Sequence, residues 1–285
     1  MIRMHDIAFS YGKRSLFTHL DLEITKGSIH GLLGMNGAGK TTLLKLISGQ
    51  LFAQHGTSTT LGFDPTKRNV EMLRQIFYLP EEFPLPRMHG EEYLKLNIPF
   101  YPLFDKQAFN EYREAFDIDL KMNLNELSLG QKKKFLLSFG LASKTPLMIL
   151  DEPTNGLDIP SKSQFRRIVA SAMTEDRTFI ISTHQVRDME NLIDPIIILH
   201  NGQVVFNSTL EHVCNTFTFT LERTEQSSSS IVFQEKVPGG YMAVAFREDG
   251  EEETSVDLES LFNAVVTKPA AFSQFVAKSA IGGAQ

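Results

Sequence analysis

The chain is poor in the residues that cross-link a fold or anchor it in a bilayer. It has one cysteine, Cys214, and no tryptophan among 285 residues. A single thiol excludes an intramolecular disulfide framework and fits a reducing compartment, with Cys214 read as a small packing residue. No apolar run reaches the roughly 18 to 20 residues that cross a bilayer. The most apolar stretch, Ile193 to Leu199, is interrupted by Asp194 and Pro195 and reads as a buried strand. The opening Met1-Ile2-Arg3-Met4-His5-Asp6 lacks the apolar run of a signal peptide. Any membrane role is therefore expected to come through a partner. Basic charge is also short: 28 Lys and Arg face 34 Asp and Glu, a net charge of −6 that speaks against a large nucleic-acid footprint. No internal repeat is visible.

What is present is an alternation of strand and helix patterns. Ile2, Met4, Ile7 and Phe9, then Leu20, Leu22 and Ile24, recur at near-alternate spacing, as in half-buried antiparallel strands. An apolar strand from Ser28 to Leu33 precedes a helix from Thr41 to Ser48. Residues 50 to 70 read as turn-rich, and Gln75 to Leu79 as a short strand. Helices are expected over Glu91–Asn97, Lys106–Phe116, Lys132–Ser143, Ser161–Met173 and Val186–Leu192, with strands at Leu147–Leu150 and Thr178–Ser182. This is a parallel-sheet α/β core carrying a helical insertion between residues 80 and 146. From about Asn215 the pattern changes. Phe217, Phe219 and Leu221, then Ile231 and Phe233, then Met242, Val244 and Phe246 alternate, with short helices expected at Leu258–Val266 and Ala270–Lys278. The tail reads as a small α+β appendage, with the serine run 227–230 and the acidic run 248–251 as turns.

Residues Gly34 to Thr41 read Gly-Met-Asn-Gly-Ala-Gly-Lys-Thr and have the spacing of a phosphate-binding P-loop. Glycines allow backbone N–H groups to approach a polyphosphate, and the following helix aims its positive end at the same anion. Lys40 is expected to reach the β- and γ-phosphates and the Thr41 hydroxyl to ligate Mg²⁺. A second apolar strand, Pro146 to Leu150, ends in Asp151-Glu152. Asp151 is the candidate for holding Mg²⁺, and Glu152, pointing the other way, for orienting and deprotonating an attacking water. Ser128 can cap the helix after it; a helix N-terminus with a serine hydroxyl and a free Gly130 N–H can hold a second anion, although taken alone the segment reads as a plain helix cap. Taken alone, Lys132-Lys133-Lys134 is a solvated helix face. His184, just past the strand Phe179-Ile180-Ile181, can donate to a phosphate oxygen.

Together these motifs resemble the nucleotide-binding subunit of an ABC transporter, over roughly residues 1 to 212. Gly34, Asn36, Gly37, Ala38, Gly39, Lys40, Thr41 and Thr42 match Walker A, and Leu147 to Glu152 match Walker B. Ser128, Gly130 and Gln131 match the family signature. Asn155 to Asp158 match the D-loop, and His184 the switch histidine. Tyr11 stands where the family stacks an aromatic on adenine.

The resemblance implies a P-loop NTPase core with an antiparallel β subdomain and a helical subdomain at about 81–146, forming a cassette over 1–212, followed by the accessory unit 215–285. It implies ATP and Mg²⁺ as cofactors, with Glu152 and His184 catalytic. It also implies a head-to-tail dimer in which Ser128, Gly130, Gln131 and Asp158 of one subunit close on ATP held by the other. That dimer would be homodimeric or paired with a second ATPase subunit. An integral membrane subunit is the expected partner, at the cytoplasmic face, and export the expected direction. The family usually has glutamine where Glu81 stands; the glutamate is carried over as a metal or water ligand. The loop Phe83 to Met88 reads equally as a groove for a membrane subunit or as a plain proline-rich loop. The alternative is an ABC-type ATPase acting on ribosomes or nucleic acid.

Overall fold

The computed structural model describes residues 1–248 and 250–276. The chain opens with β1 (Ile2–Tyr11) and β2 (Arg14–Ile24), then β3 (Ile29–Leu33), α1 (Lys40–Ile47) and β4 (His55–Thr60). A short α2 (Val70–Leu73) leads to β5 (Ile76–Leu79). The insertion contains α3 (Gly90–Asn97), α4 (Lys106–Ala115) and α5 (Leu129–Ala142). The core resumes with β6 (Leu147–Asp151), α6 (Ile159–Ser171), β7 (Thr178–Thr183), β8 (Ile196–His200) and β9 (Gln203–Ser208). The tail is α7 (Leu210–Thr216), β10 (Phe217–Glu222), β11 (Ile231–Val237), β12 (Gly240–Phe246) and α8 (Leu258–Thr267).

The central sheet has the order β5-β6-β7-β3-β8-β9; its first five strands run parallel and β9 returns antiparallel at the edge. β3, β6 and β7 are buried at every residue, as parallel strands covered on both faces must be. Successive residues point to opposite faces, and two apolar cores result. Met148, Leu150, Phe179, Ile181, Ile196 and Ile198 face the core built with α5, α6 and the tail. Leu32, Leu147, Ile149, Ile180, Ile197 and Leu199 face the core shared with α1 and the antiparallel sheet. That sheet has the order β2-β1-β4. A third, β10-β12-β11, forms the tail. Its Phe217 packs beside Phe272, and Phe206 of β9 stacks on Phe275.

Several expectations change in detail. The turn-rich reading of residues 50 to 70 misses β4, whose His-Gly-Thr-Ser-Thr-Thr has no apolar alternation because most of it is an exposed edge. The helix expected over Val186–Leu192 is a single 3₁₀ turn, Val186–Met189. The structure adds α2, β9 and α7, which the sequence pattern does not announce. The last expected helix, Ala270–Lys278, is a 3₁₀ segment, Pro269–Phe275, and residues 277 and 278 lie outside the described residues. Asp249 of the expected acidic turn also lies outside them.

Candidate nucleotide site

The carboxyl ends of β3, β6 and β7 carry the P-loop, Asp151-Glu152 and Thr183-His184 to one edge of the central sheet, where open α/β sheets bind ligands. A cleft of about 600 Å³ lies there, lined by Tyr11, Asn36, Gly37, Gly39, Lys40, Thr41, Thr42, Glu81, Glu152 and His184, with Arg14, Leu16 and Met35. Gly34 and Ala38 line adjoining parts of the P-loop surface.

The loop needs its glycines for two different reasons. Gly39 precedes α1 at φ 109°, and a side chain there would meet the Phe17 ring 2.8 Å away. Gly34 is crowded by the Leu199 carbonyl, which would lie 2.7 Å from an added Cβ. No side chain caps the N-terminus of α1, so its first N–H groups keep the donor capacity that an anion can use.

Lys40 reaches back across its own loop. Its Nζ donates to the Gly34 carbonyl at 2.7 Å and lies 3.3 Å from Glu152 Oε1. His184 Nδ1 is 2.9 Å from the same carboxylate oxygen, and the His184 N–H faces Glu152 Oε2 at 3.4 Å. Lys40, Glu152 and His184 are therefore one contiguous group. Glu152 sits at φ 47°, a left-handed conformation uncommon outside glycine, while its N–H donates to Ser182.

Asp151 is fully buried behind the cleft, with Ser182 Oγ donating to Oδ1 and the Tyr78 hydroxyl 3.4 Å from Oδ2. Burial, and after it the Asp151 charge, pushes the Tyr78 phenol well above its usual range and keeps it a donor. Glu81 accepts from Asn155 Nδ2 at 2.9 Å. Tyr11, half exposed, sets its ring edge-on to Phe9 at 4.9 Å and places its hydroxyl 3.2 Å from Thr42 Oγ1.

The signature residues lie elsewhere. Ser128 and Gln131 form a reciprocal capping box at the start of α5: Ser128 Oγ accepts from the Gln131 N–H at 3.2 Å, and Gln131 Oε1 from the Ser128 N–H at 3.0 Å. Gly130 packs toward the Gly156 carbonyl. Asp158 caps α6 by accepting from the Ser161 N–H at 2.9 Å, and the Ser161 hydrogen bonds hold its carboxyl below the usual value. None of these four residues lines the cleft.

The lysine run is corrected. Lys133 is not solvated; it is 1% exposed, and its ammonium donates to the carbonyls of Glu152 and Asn155 at 2.8 Å each. Nothing in three consecutive lysines distinguishes the middle one, although Leu136 and Leu137, three and four residues on and both buried, share its face of α5.

A family model described as ABC transporter matches residues 17–155. The bacitracin transport ATP-binding protein BcrA of Bacillus licheniformis is 30% identical over 75% of this chain and 71% of its own length. The chain belongs to the ABC transporter family, as an ATP-binding subunit. The lantibiotic transport ATP-binding protein SrtF of Streptococcus pyogenes is also 30% identical, over 72% of this chain and 89% of its own. Among solved structures, a dimeric ATP-binding cassette in a post-hydrolysis state, bound to ADP and Pi, superposes with a TM-score of 0.65 over 74% of this chain and 99% of its own, at 20% identity. The ABC ATPase subunit therefore binds and hydrolyses ATP in service of a transporter. Among the described residues no helix is long and apolar enough to cross a membrane.

Proposed function

We propose that Glu152 is the general base of ATP hydrolysis, that His184 holds it and the γ-phosphate in register, and that Lys40 neutralises the phosphates. The observation that carries this is the single cluster of Lys40, Glu152 and His184 at the mouth of the P-loop cleft, with 3.3 and 2.9 Å separations. Tyr11 is proposed to stack on adenine. The P-loop residues Gly34, Asn36, Gly37, Ala38, Gly39 and Thr42 are proposed to cradle the phosphates.

Oxygen donors at Thr41, Asp151 and Glu81 suit Mg²⁺, which is usually held by a few protein oxygens, phosphates and water. Both Asp151 oxygens already face hydroxyls, Ser182 and Tyr78, and this supports a carboxylate that orients metal-bound water. When bound, the ion would neutralise charge on the phosphates.

Ser128, Gly130, Gln131 and Asp158 are proposed to act on the nucleotide of an opposing subunit, which gives a use to a helix terminus that lies away from this chain's own cleft. Two copies, or this chain and a second ATPase subunit, would then enclose two ATP molecules. An integral membrane subunit would receive the closure, with this chain at the cytoplasmic membrane face and the substrate exported. The names of BcrA and SrtF, which serve transport of bacitracin and a lantibiotic, support an exported peptide-like cargo. Residues 1–212 are assigned to the cassette, with the helical subdomain at about 81–146, and 215–285 to an accessory unit.

The test is Glu152→Gln, assayed for hydrolysis and for nucleotide affinity. Hydrolysis is expected to fall by about 10² or more, the scale of a general base, with ATP still bound. Retention of the wild-type rate would overturn the assignment.

A further inference from the structure

We propose that Lys133 is a positioning residue that ties the signature end of α5 to the carboxylate of Glu152. The inference rests on the assignment of Glu152 as the base. It starts from an ammonium buried inside the molecule, where an unpaired charge is strongly disfavoured. Lys133 satisfies that charge on two carbonyls of one turn, Glu152 O and Asn155 O. The turn is otherwise closed by the Asn155 N–H on the same Glu152 carbonyl at 3.2 Å. Burial pulls the Lys133 ammonium below the usual lysine value, and the charges of Glu81, Glu152 and Asp151 oppose the shift.

What this turn holds is unusual. Glu152 is left-handed, so its peptide needs something to fix it, and the direction of its side chain follows from its backbone. Lys133 clamps the carbonyl side of that residue, while Ser182 receives its N–H. The far side of the turn reaches the cleft as well, since the Asn155 side chain donates to Glu81. One ammonium thus steadies the backbone from which both cleft carboxylates are positioned.

The second link is the helix itself. Ser128 caps the helix that carries Lys133, five residues and about 7.5 Å along the axis at 1.5 Å per residue. An α-helix moves as a rigid piece over that length. Displacement of the Ser128 end by a phosphate of an opposing subunit would move the ammonium, and with it the peptide of Glu152. Lys133 therefore gives the signature of one subunit a route to that subunit's own base, so that each nucleotide is sensed at the other site.

The experiment compares Lys133→Met, Glu152→Gln and the double variant, with Lys132→Met as a neighbour control, reading steady-state and single-turnover ATP hydrolysis beside ATP affinity. Lys133→Met is expected to lower kcat by about 10- to 100-fold, as misplacement of a catalytic group does, without changing ATP affinity. The double variant is expected to hydrolyse no more slowly than Glu152→Gln alone, because both changes disable one group. Lys133→Gln, which keeps two donors, is expected to recover part of the rate, and it carries the same comparison if Lys133→Met does not fold. A wild-type kcat in Lys133→Met, or losses that multiply in the double variant, would overturn the proposal. A fast Glu152→Gln would strike the assignment of the base itself. A slow Glu152→Gln beside a fast Lys133→Met would strike only Lys133.

Discussion

The N-termini of α1 and α5 both follow a motif that points to anions, and they are built in opposite ways. α1 begins at Gly39 with no side-chain cap, and the Lys40 ammonium stands over the loop. α5 begins at Ser128 with a complete capping box, in which Ser128 and Gln131 satisfy each other. A helix terminus with free donors and an adjacent cation is a site in itself. One that has capped itself is a stable helix end first, and taking a phosphate requires it to exchange internal hydrogen bonds for external ones. The first terminus is open to an anion within a lone subunit, whereas the second already stabilises its own helix, and under the proposed function it takes a phosphate only from an opposing subunit.

The sharpest way to break this comparison after Glu152→Gln is Lys40→Met. Removing a cation that meets phosphate is expected to weaken ATP binding by roughly 10- to 100-fold, as for a hydrogen bond involving charge worth about 1.5 to 3 kcal/mol. Equilibrium binding to the isolated subunit measures this, and an unchanged affinity would remove α1 as the self-contained site.

The α1 side also has a pH axis in the acid range. His30, on the P-loop strand β3, is buried with Nε2 toward the Thr25 carbonyl. Burial lowers its pKa to about 4, against the opposing pull of that hydrogen bond. A depressed histidine stabilises the fold fully above the unfolded value near 6.5, and that stability drains away as pH falls toward about 4. At pH 5 the loss is expected to be about 2 kcal/mol. Thermal melts of wild type and His30→Gln between pH 7 and 5 check it: the variant should show the shallower acid slope.

Smallest in stability, and most informative about α5, is Ser128→Ala. Loss of the cap is expected to destabilise by about 1 kcal/mol. ATP affinity of the isolated subunit should not change, while hydrolysis at concentrations that favour dimers should fall. Weaker binding to the monomer would mean that α5 already contributes to this subunit's own cleft.

How much of this the sequence shows depends on whether a residue's role is local. Gly34 to Thr41 state their conformation through spacing alone, and the apolar runs of β3, β6 and β7 state their burial. β4 stays hidden because His55 to Thr60 form an exposed edge whose pairing with β1 comes from the distant chain, not from an apolar pattern. Lys133 stays hidden because its partners, Glu152 O and Asn155 O, are backbone atoms about 20 residues away. A lysine that binds carbonyls leaves no complementary residue type to find. The Val186–Met189 turn misleads in the other direction: its apolar spacing is helical, but the backbone leaves helical geometry at Glu190, with ψ 136°, and turns left-handed at Asn191, with φ 62°.

The aromatic stack under the tail has a consequence for anyone who would transplant that tail. Phe206 belongs to the last strand of the central sheet, yet its neighbours are Phe272 and Phe275, and Phe217 lies against both of these. A chimaera joined between residues 212 and 215 would leave Phe206 behind as a greasy scar on the donor and hand the recipient a tail with no floor. A workable graft has to carry β9 with it, or supply a phenyl ring at the same place in the new host.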